Sequence, residues 1–132
     1  MKISLDTAKR YLALFEETYL IHLVSRFGKT NETLLSAKKV YVTDIGIRNV
    51  VVGFRDKGAI FENIVFMKIK QHKPRYLYVD KHEIDFVYND TLLEVKYHSE
   101  FSEKQMEVFK NFDAPNKIII KNYRDFQQFL TL

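Results

Sequence analysis

The chain has 132 residues, 46% of them hydrophobic and 14% aromatic, with no cysteine and no tryptophan. That is enough apolar material for one core, and it excludes a disulfide framework or a thiolate metal site. No apolar run approaches the roughly 20 residues that a membrane span needs, and no signal-peptide pattern opens the chain, so a soluble, cytoplasmic protein without a membrane partner is expected. The net charge of +4 is unevenly placed: residues 1–37 carry five Lys/Arg and four Asp/Glu, residues 38–82 ten and four, and residues 83–132 six and nine. A basic middle beside an acidic end suits a protein that holds a polyanion near a cation site; it equally suits a solvated surface of uneven charge.

In chain order, Ser4 or Thr7 is placed to cap a helix reaching to about Tyr19, with Leu12, Phe15 and Tyr19 at helical spacing. Tyr19–Phe27 reads as a strand, and the lone His22 within it is expected to be a packed or surface residue rather than a ligand. Phe27–Lys39 is polar and reads as a boundary or wing-like loop. Its Gly28-Lys29-Thr30 resembles the end of a phosphate-binding loop, but the Gly required five residues before Gly28 is Leu23, so no ATPase site is expected in this chain. Lys39–Thr43 is a short strand, Asp44 caps a helix over Ile45 to about Phe54, and Asp56 caps another over Lys57 to about Gln71. The latter carries a stripe of Ala59, Glu62, Val65, Phe66 and Ile69, so that Glu62 projects from an otherwise apolar face and needs a partner. Lys68, Lys70, His72, Lys73 and Arg75 crowd the end of this helix and the turn at Pro74. They are candidate phosphate contacts, although basic residues also favour a helix C-terminus for dipole reasons alone.

Arg75–Val79 is the first strand of a meander whose next two strands flank Asn89-Asp90, a dipeptide that tolerates the left-handed backbone of a two-residue hairpin loop. With that loop, Tyr88 faces Thr91, Phe86 faces Leu93, Asp85 faces Glu94 and Glu83 faces Lys96. Strict alternation then puts Glu83, Asp85, Glu94 and Lys96 on one face and Ile84, Phe86, Leu93 and Val95 on the other. Like charges opposed at roughly 5 Å are unfavourable, so the pair Asp85/Glu94 calls for a compensating cation. A helix from about Ser102 to Phe112 follows, with Ser102 and Gln105 spaced as a capping box. Asn116–Lys121 is a very apolar strand suited to a buried, parallel position, and Tyr123–Leu130 is a last helix. The order of helix, three-strand meander, helix, strand, helix from residue 57 predicts an α/β fold with the hairpin central.

Two carboxylates on adjacent strands with a lysine two residues on suit metal-dependent phosphodiester chemistry. Mg²⁺ or Mn²⁺ takes hard oxygen ligands, polarises a phosphate and lowers the pKa of a bound water. Lys96 would orient or deprotonate that water or stabilise developing charge, and Glu62 would hold a water or fix Lys96. The alternative is a simple charge ladder, with Glu83 paired to Lys96 while Asp85 and Glu94 stay solvated, worth only ~0–1 kcal/mol.

The helix bearing Glu62, then Asp85, then Glu94-Val95-Lys96 resembles the PD-(D/E)XK nuclease superfamily over residues 57–132. The resemblance implies a restriction-endonuclease-like core. In it Asp85, Glu94 and the Val95 carbonyl bind Mg²⁺ or Mn²⁺, Lys96 and Glu62 serve catalysis, and DNA is the substrate. Gln105 and Phe109 resemble the Gln-x-x-x-Tyr element of exonuclease-type members, with Phe in place of Tyr, and Ile84 stands where the nominal Pro would precede Asp85. This makes Gln105, with Lys68, Lys70, Lys73 and Arg75, a candidate nucleic-acid contact. A second resemblance covers nearly the whole chain, through Ser4, Thr7, Tyr11-Leu12, Glu16, Tyr19-Leu20-Ile21, Lys39-Val40-Tyr41-Val42, Asp44, Gly46, Gly58, Phe61-Glu62-Asn63 and Glu83-Ile84-Asp85-Phe86. These residues resemble the C-terminal region, a domain of unknown function, that follows the P-loop ATPase domain in a family of archaeal and bacterial ATPases. That likeness divides the chain into a winged-helix-like remnant or helix-strand appendage at 1–37 and a nuclease-like domain at 38–132. It also implies an ATPase as a missing domain or separate partner and is compatible with a homo-oligomer. Two functions remain open at this point: a Mg²⁺-dependent deoxyribonuclease, or a non-catalytic nucleic-acid-binding or regulatory module of such an ATPase.

Overall fold

The computed structural model describes residues 2–132, which form six α-helices, a two-stranded sheet and a four-stranded sheet. Among these residues no helix is long and apolar enough to cross a membrane. Helix α1 (Leu5–Glu17) starts where Ser4 Oγ accepts the Thr7 N–H at 3.1 Å. It buries no residue, so the expected stripe of Leu12, Phe15 and Tyr19 lies exposed rather than in a core. Strand β1 (Ile21–Val24) is shorter than the predicted run. The segment expected to be a loop contains a short helix, α2 (Thr30–Leu35), whose entry is held by the Lys29 N–H donating to Glu32 Oε2 at 3.2 Å. Strand β2 (Lys39–Val42) pairs antiparallel with β1, Ile21 opposite Val42 and Val24 opposite Lys39. Residues on the two sides of position 37 are thus joined in one sheet.

Asp44 and Asp56 cap α3 (Ile45–Val52) and α4 (Lys57–Ile69) through the Ile47 and Ala59 amides at 3.0 and 2.9 Å. Gly53 ends α3 at φ 81°, a left-handed value that is costly for residues with a Cβ. The apolar face of α4 is wider than its predicted stripe. Phe61, Asn63, Val65, Phe66 and Ile69 are buried, while Ala59 and Glu62 lie at its margin. A single 3₁₀ turn, Lys70–His72, leads into the main sheet.

That sheet has the order β3 (Arg75–Val79), β4 (His82–Tyr88), β5 (Thr91–Val95), β6 (Asn116–Ile120). The first three strands form the predicted meander, with Tyr88 opposite Thr91 and Phe86 opposite Leu93 across a loop that begins with Asn89 at φ 47°. Strand β6 runs parallel to β5, Leu93 beside Ile118 and Val95 beside Ile120, and α5 (Glu103–Asn111) makes the crossover. As an edge strand β6 is less buried than its composition suggested: only Ile120 is fully enclosed. The opposite edge is covered by residues following β1, for the Phe27 N–H donates to the Tyr76 carbonyl at 2.7 Å and the Tyr76 N–H to the Ser25 carbonyl at 3.2 Å. Helix α6 (Tyr123–Phe129) closes the chain.

Two apolar layers enclose the main sheet. On one side Phe86, Leu93, Val95, Tyr76 and Ile120 meet Phe61, Val65, Phe66 and Ile69 of α4, with Val24 and Tyr41 of the small sheet and Phe126 of α6. On the other, Leu77, Ile84, Val87 and Leu92 meet Phe109 of α5. Ile84 therefore lies on the face opposite Phe86, contrary to the strict alternation expected. The cause is a β-bulge: Arg75 pairs with Val87 and Leu77 with Ile84, so Tyr76 stands opposite both Asp85 and Phe86. One extra residue reverses which face each preceding side chain takes. It falls at Asp85.

Candidate functional site

The β4–β5 ladder ends at Phe86 and Leu93, and beyond that pair the strands are bridged by side chains. Glu94 Oε2 accepts the Asp85 N–H at 2.8 Å, and Asp85 Oδ2 accepts the Val95 N–H at 2.9 Å. Each carboxylate takes over a backbone donor that a continued ladder would have used. Burial of these acids at 7% and 2% exposure is thereby tolerated, because buried backbone and carboxylate are satisfied together. The opposed pair is thus not left as bare repulsion.

Glu94 turns toward α5. Its Oε1 receives Lys96 Nζ at 2.9 Å and Gln105 Nε2 at 3.0 Å, while Gln105 Nε2 also lies 2.7 Å from the Glu83 carbonyl. Gln105 therefore completes only half of the expected capping box. Ser102 Oγ accepts the Gln105 N–H at 3.2 Å, and the Gln105 side chain goes to the sheet rather than back to the cap. Lys96 lies over the Phe101 ring at 5.1 Å. It pairs with Glu94, not with Glu83 as in the charge ladder.

Asp85, re-aimed by the bulge, turns toward α4 and the small sheet. There the sequence reading missed a residue. Lys39, first in β2, places Nζ at 2.7 Å from Glu62 Oε1, 2.8 Å from Glu83 Oε1 and 3.2 Å from Asp85 Oδ1, with its side chain 20% exposed. Glu62 thus finds the partner its position on α4 called for, together with Tyr41, whose hydroxyl donates to Glu62 Oε1 at 2.6 Å. In the sequence Lys39 was a cationic first residue on a short strand, as many solvated lysines are, and a member of the Lys39-Val40-Tyr41-Val42 run of the second resemblance, which gave it no role.

Asn63 holds this strand in place. Its Oδ1 accepts the Val42 N–H at 2.9 Å and its Nδ2 donates to the Val42 carbonyl at 2.8 Å, in effect extending the sheet with a side-chain amide from α4. The two rings nearest Lys39 Nζ are Tyr41 and Phe86, at 5.7 and 5.9 Å.

Charge balance in this cluster is delicate. Burial pushes the Asp85 carboxyl up, and Glu62 and Glu94 add to the push; Lys39 and the Val95 amide pull the other way. Burial likewise raises Glu94 against the opposing effect of Lys96. Burial disfavours the charge on Lys39, but Asp85, Glu62 and Glu83 outweigh it and hold the ammonium above the ordinary lysine range. Lys39 and Asp85 pull on one another in opposite senses, since the ammonium gains most from an ionised Asp85. With three carboxyl groups within 3.2 Å of its Nζ, Lys39 is a cation.

An open cleft of about 460 Å³ joins Glu62, Glu83, Asp85, Glu94, Val95, Lys96 and Gln105. The remaining candidates lie elsewhere. Lys68 lines a cleft with Tyr88 and Lys117, and Lys70, Lys73 and Arg75 line another with His22 and Glu16. On α4, Lys68 is six residues beyond Glu62, or roughly 9 Å at 1.5 Å per residue, and the rest of the basic set lies further on. The structure brings Glu62, Asp85, Glu94, Val95, Lys96 and Gln105 together and leaves the basic set at the other end of α4. His22 is a packed residue, its ring 5.4 Å from that of Phe66.

Residues 1–58 match a family described as a domain of unknown function (DUF8612). The match crosses position 37 and ends inside α4, before Glu62. The chain is also similar to an uncharacterized protein of Methanocaldococcus jannaschii, 32% identical over 117 residues, which cover 81% of this chain and 26% of the relative. The chain thus spans about a quarter of the length of the curated relative it matches. No solved structure matches.

Proposed function

We propose that this protein is a metal-dependent nuclease-type domain acting on DNA phosphodiesters, built on a restriction-endonuclease-like core and working as part or partner of a P-loop ATPase. The observation that carries the reading is the opened β4–β5 junction. Asp85 and Glu94 stand there at 7% and 2% exposure beside Lys96, and a cation, the Lys39 ammonium, is already held among Glu62, Glu83 and Asp85. The order of α4, the meander, α5, β6 and α6, with β6 parallel to β5 on the sheet edge, supports the same core. Sites in such sheets gather at the carboxyl ends of parallel strands, and Glu94-Val95-Lys96 ends β5.

The donor set suits a hard cation, because every nearby anionic ligand is a carboxylate oxygen and a positive charge already finds its place among them. As they stand, the carboxylates are spaced for an ammonium: among the described residues, no three of His, Asp or Glu are set for a metal ion. Asp85, Glu94 and the Val95 carbonyl are the residues to hold Mg²⁺ or Mn²⁺, with Glu62 at the margin. The ion, when bound, supplies a Lewis acid and a water of lowered pKa. Lys96 is kept in reach of the cleft by Glu94 and Phe101, where its ammonium faces an incoming phosphate and stabilises charge developing on it. Gln105 fixes the Glu94 carboxylate so that it does not swing with the ligand. Exposed apolar side chains on α1, on α3 and just beyond it, Val50 at 86% and Phe54 at 70% among them, are consistent with a larger assembly.

Labelled linear duplex and single-stranded DNA test the reading. Cleavage with Mg²⁺ or Mn²⁺ but not with EDTA, lost in Asp85→Ala and Lys96→Ala, is the expected result; intact DNA under every metal condition refutes catalysis. One observation favours the non-catalytic alternative, namely that Lys39 already neutralises the acids. That alternative predicts salt-dependent DNA binding without cleavage, unchanged in Lys96→Ala.

A further inference from the structure

We propose that the Lys39 ammonium is a tethered counter-ion that must leave the carboxylate cluster before a divalent cation enters, so that Lys39 sets the metal affinity of this site. The proposal rests on the metal reading above. Three carboxylates from two elements, α4 and β4, converge on one nitrogen at 2.7, 2.8 and 3.2 Å. A divalent ion held by Asp85, Glu94 and the Val95 carbonyl takes its oxygens at ~2.0–2.6 Å, so it competes with the ammonium for Asp85, the carboxylate that the two cations share. Both cations together would stand at contact distance with like charge, in a setting screened less than bulk water.

The exchange is physically open. Lys39 reaches the cluster on a flexible four-carbon stem from the first residue of β2, its side chain is one-fifth exposed, and Ala37 and Lys38 before it face solvent. The backbone of β2 need not move, since Asn63 pins it three residues on, at Val42. Swinging the lysine out as the ion enters spares the fold a state in which Glu62, Glu83 and Asp85 repel one another unneutralised. Tyr41 stays behind as a donor to Glu62 and marks the place to which the ammonium returns.

Mn²⁺ titration by calorimetry, with melting curves in EDTA and in saturating Mn²⁺, decides the matter on the full chain. Lys39→Met should bind Mn²⁺ at least about tenfold more tightly than wild type, as loss of a unit charge at contact distance requires. It should also melt below wild type in EDTA and recover in Mn²⁺, while Lys39→Arg, which keeps the charge, follows wild type. Lys39→Gln, which keeps hydrogen bonding without charge, should behave as Lys39→Met and serves if the latter does not fold without metal. Equal Mn²⁺ affinity in wild type, Lys39→Met and Lys39→Gln, abolished by Asp85→Asn, overturns the role of Lys39 and leaves the metal site standing. No Mn²⁺ binding in any variant overturns the metal site itself, and this inference with it.

Discussion

Asn63 tests the architecture most directly, because one side-chain amide ties the strand that bears Lys39 and Tyr41 to the helix that bears Glu62. Asn63→Ala removes both bonds to Val42, at 2.9 and 2.8 Å, and leaves a backbone N–H and a carbonyl at the edge of the small sheet without partners. An orphaned buried polar group costs ~1–3 kcal/mol; since Val42 is partly buried, the lower half of that range applies to each, about 2–4 kcal/mol together. At ~2.1 cal/mol/K per residue, the unfolding entropy of this chain converts that loss to a fall in Tm of roughly 7–14 °C. Urea denaturation followed by circular dichroism measures it, and amide exchange at Val42 should accelerate locally. Asn63→Asp sharpens the test. It keeps an acceptor for the Val42 N–H but sets a carboxylate against the Val42 carbonyl, so it should be destabilising at neutral pH and recover on acidification, when the protonated acid donates. A loss below about 0.5 kcal/mol in Asn63→Ala, or a neutral Asn63→Asp at pH 7, would refute the reasoning.

Two further outcomes follow from the same geometry. Burial first, then Glu62 and Glu94, push the Asp85 carboxyl up to about 8, above its ordinary value of 3.8. A folded state that binds the proton more tightly than the unfolded one loses stability as pH rises through the interval between the two values. In EDTA, Tm should therefore decline from about pH 5 to pH 8 in wild type and decline less in Asp85→Asn; a wild-type Tm that climbs over this range, or an equal slope in the variant, contradicts it. Ser102→Ala removes the acceptor for the Gln105 N–H at 3.2 Å and should cost about 1 kcal/mol in urea melts, with Ser102→Asp retaining most of the stability. An unchanged midpoint in Ser102→Ala would mean that α5 is held by its packing on the sheet alone.

Local chemistry was legible in the chain. Side-chain caps at Ser4, Asp44, Asp56 and Ser102, the left-handed Asn89, the alternation around Phe86 and Leu93, and the apolar Asn116–Ile120 each act within a few residues. Short-range signals of this kind place helices, strands and the hairpin, and with them the proximity of Asp85 to Glu94 and Lys96. Tertiary structure decided what those acids meet. The bulge opposite Tyr76 reverses the face of Ile84 and sends Asp85 and Glu94 toward different layers, because β3 and β4 must accommodate one extra residue between fixed partners. Gln105 abandons its helix cap for Glu94 because the sheet offers a buried charged acceptor. Lys39 reaches Glu83 and Asp85 from 44 and 46 residues away, and a solvated lysine and a buried counter-ion are identical in sequence until packing brings three carboxylates around one of them.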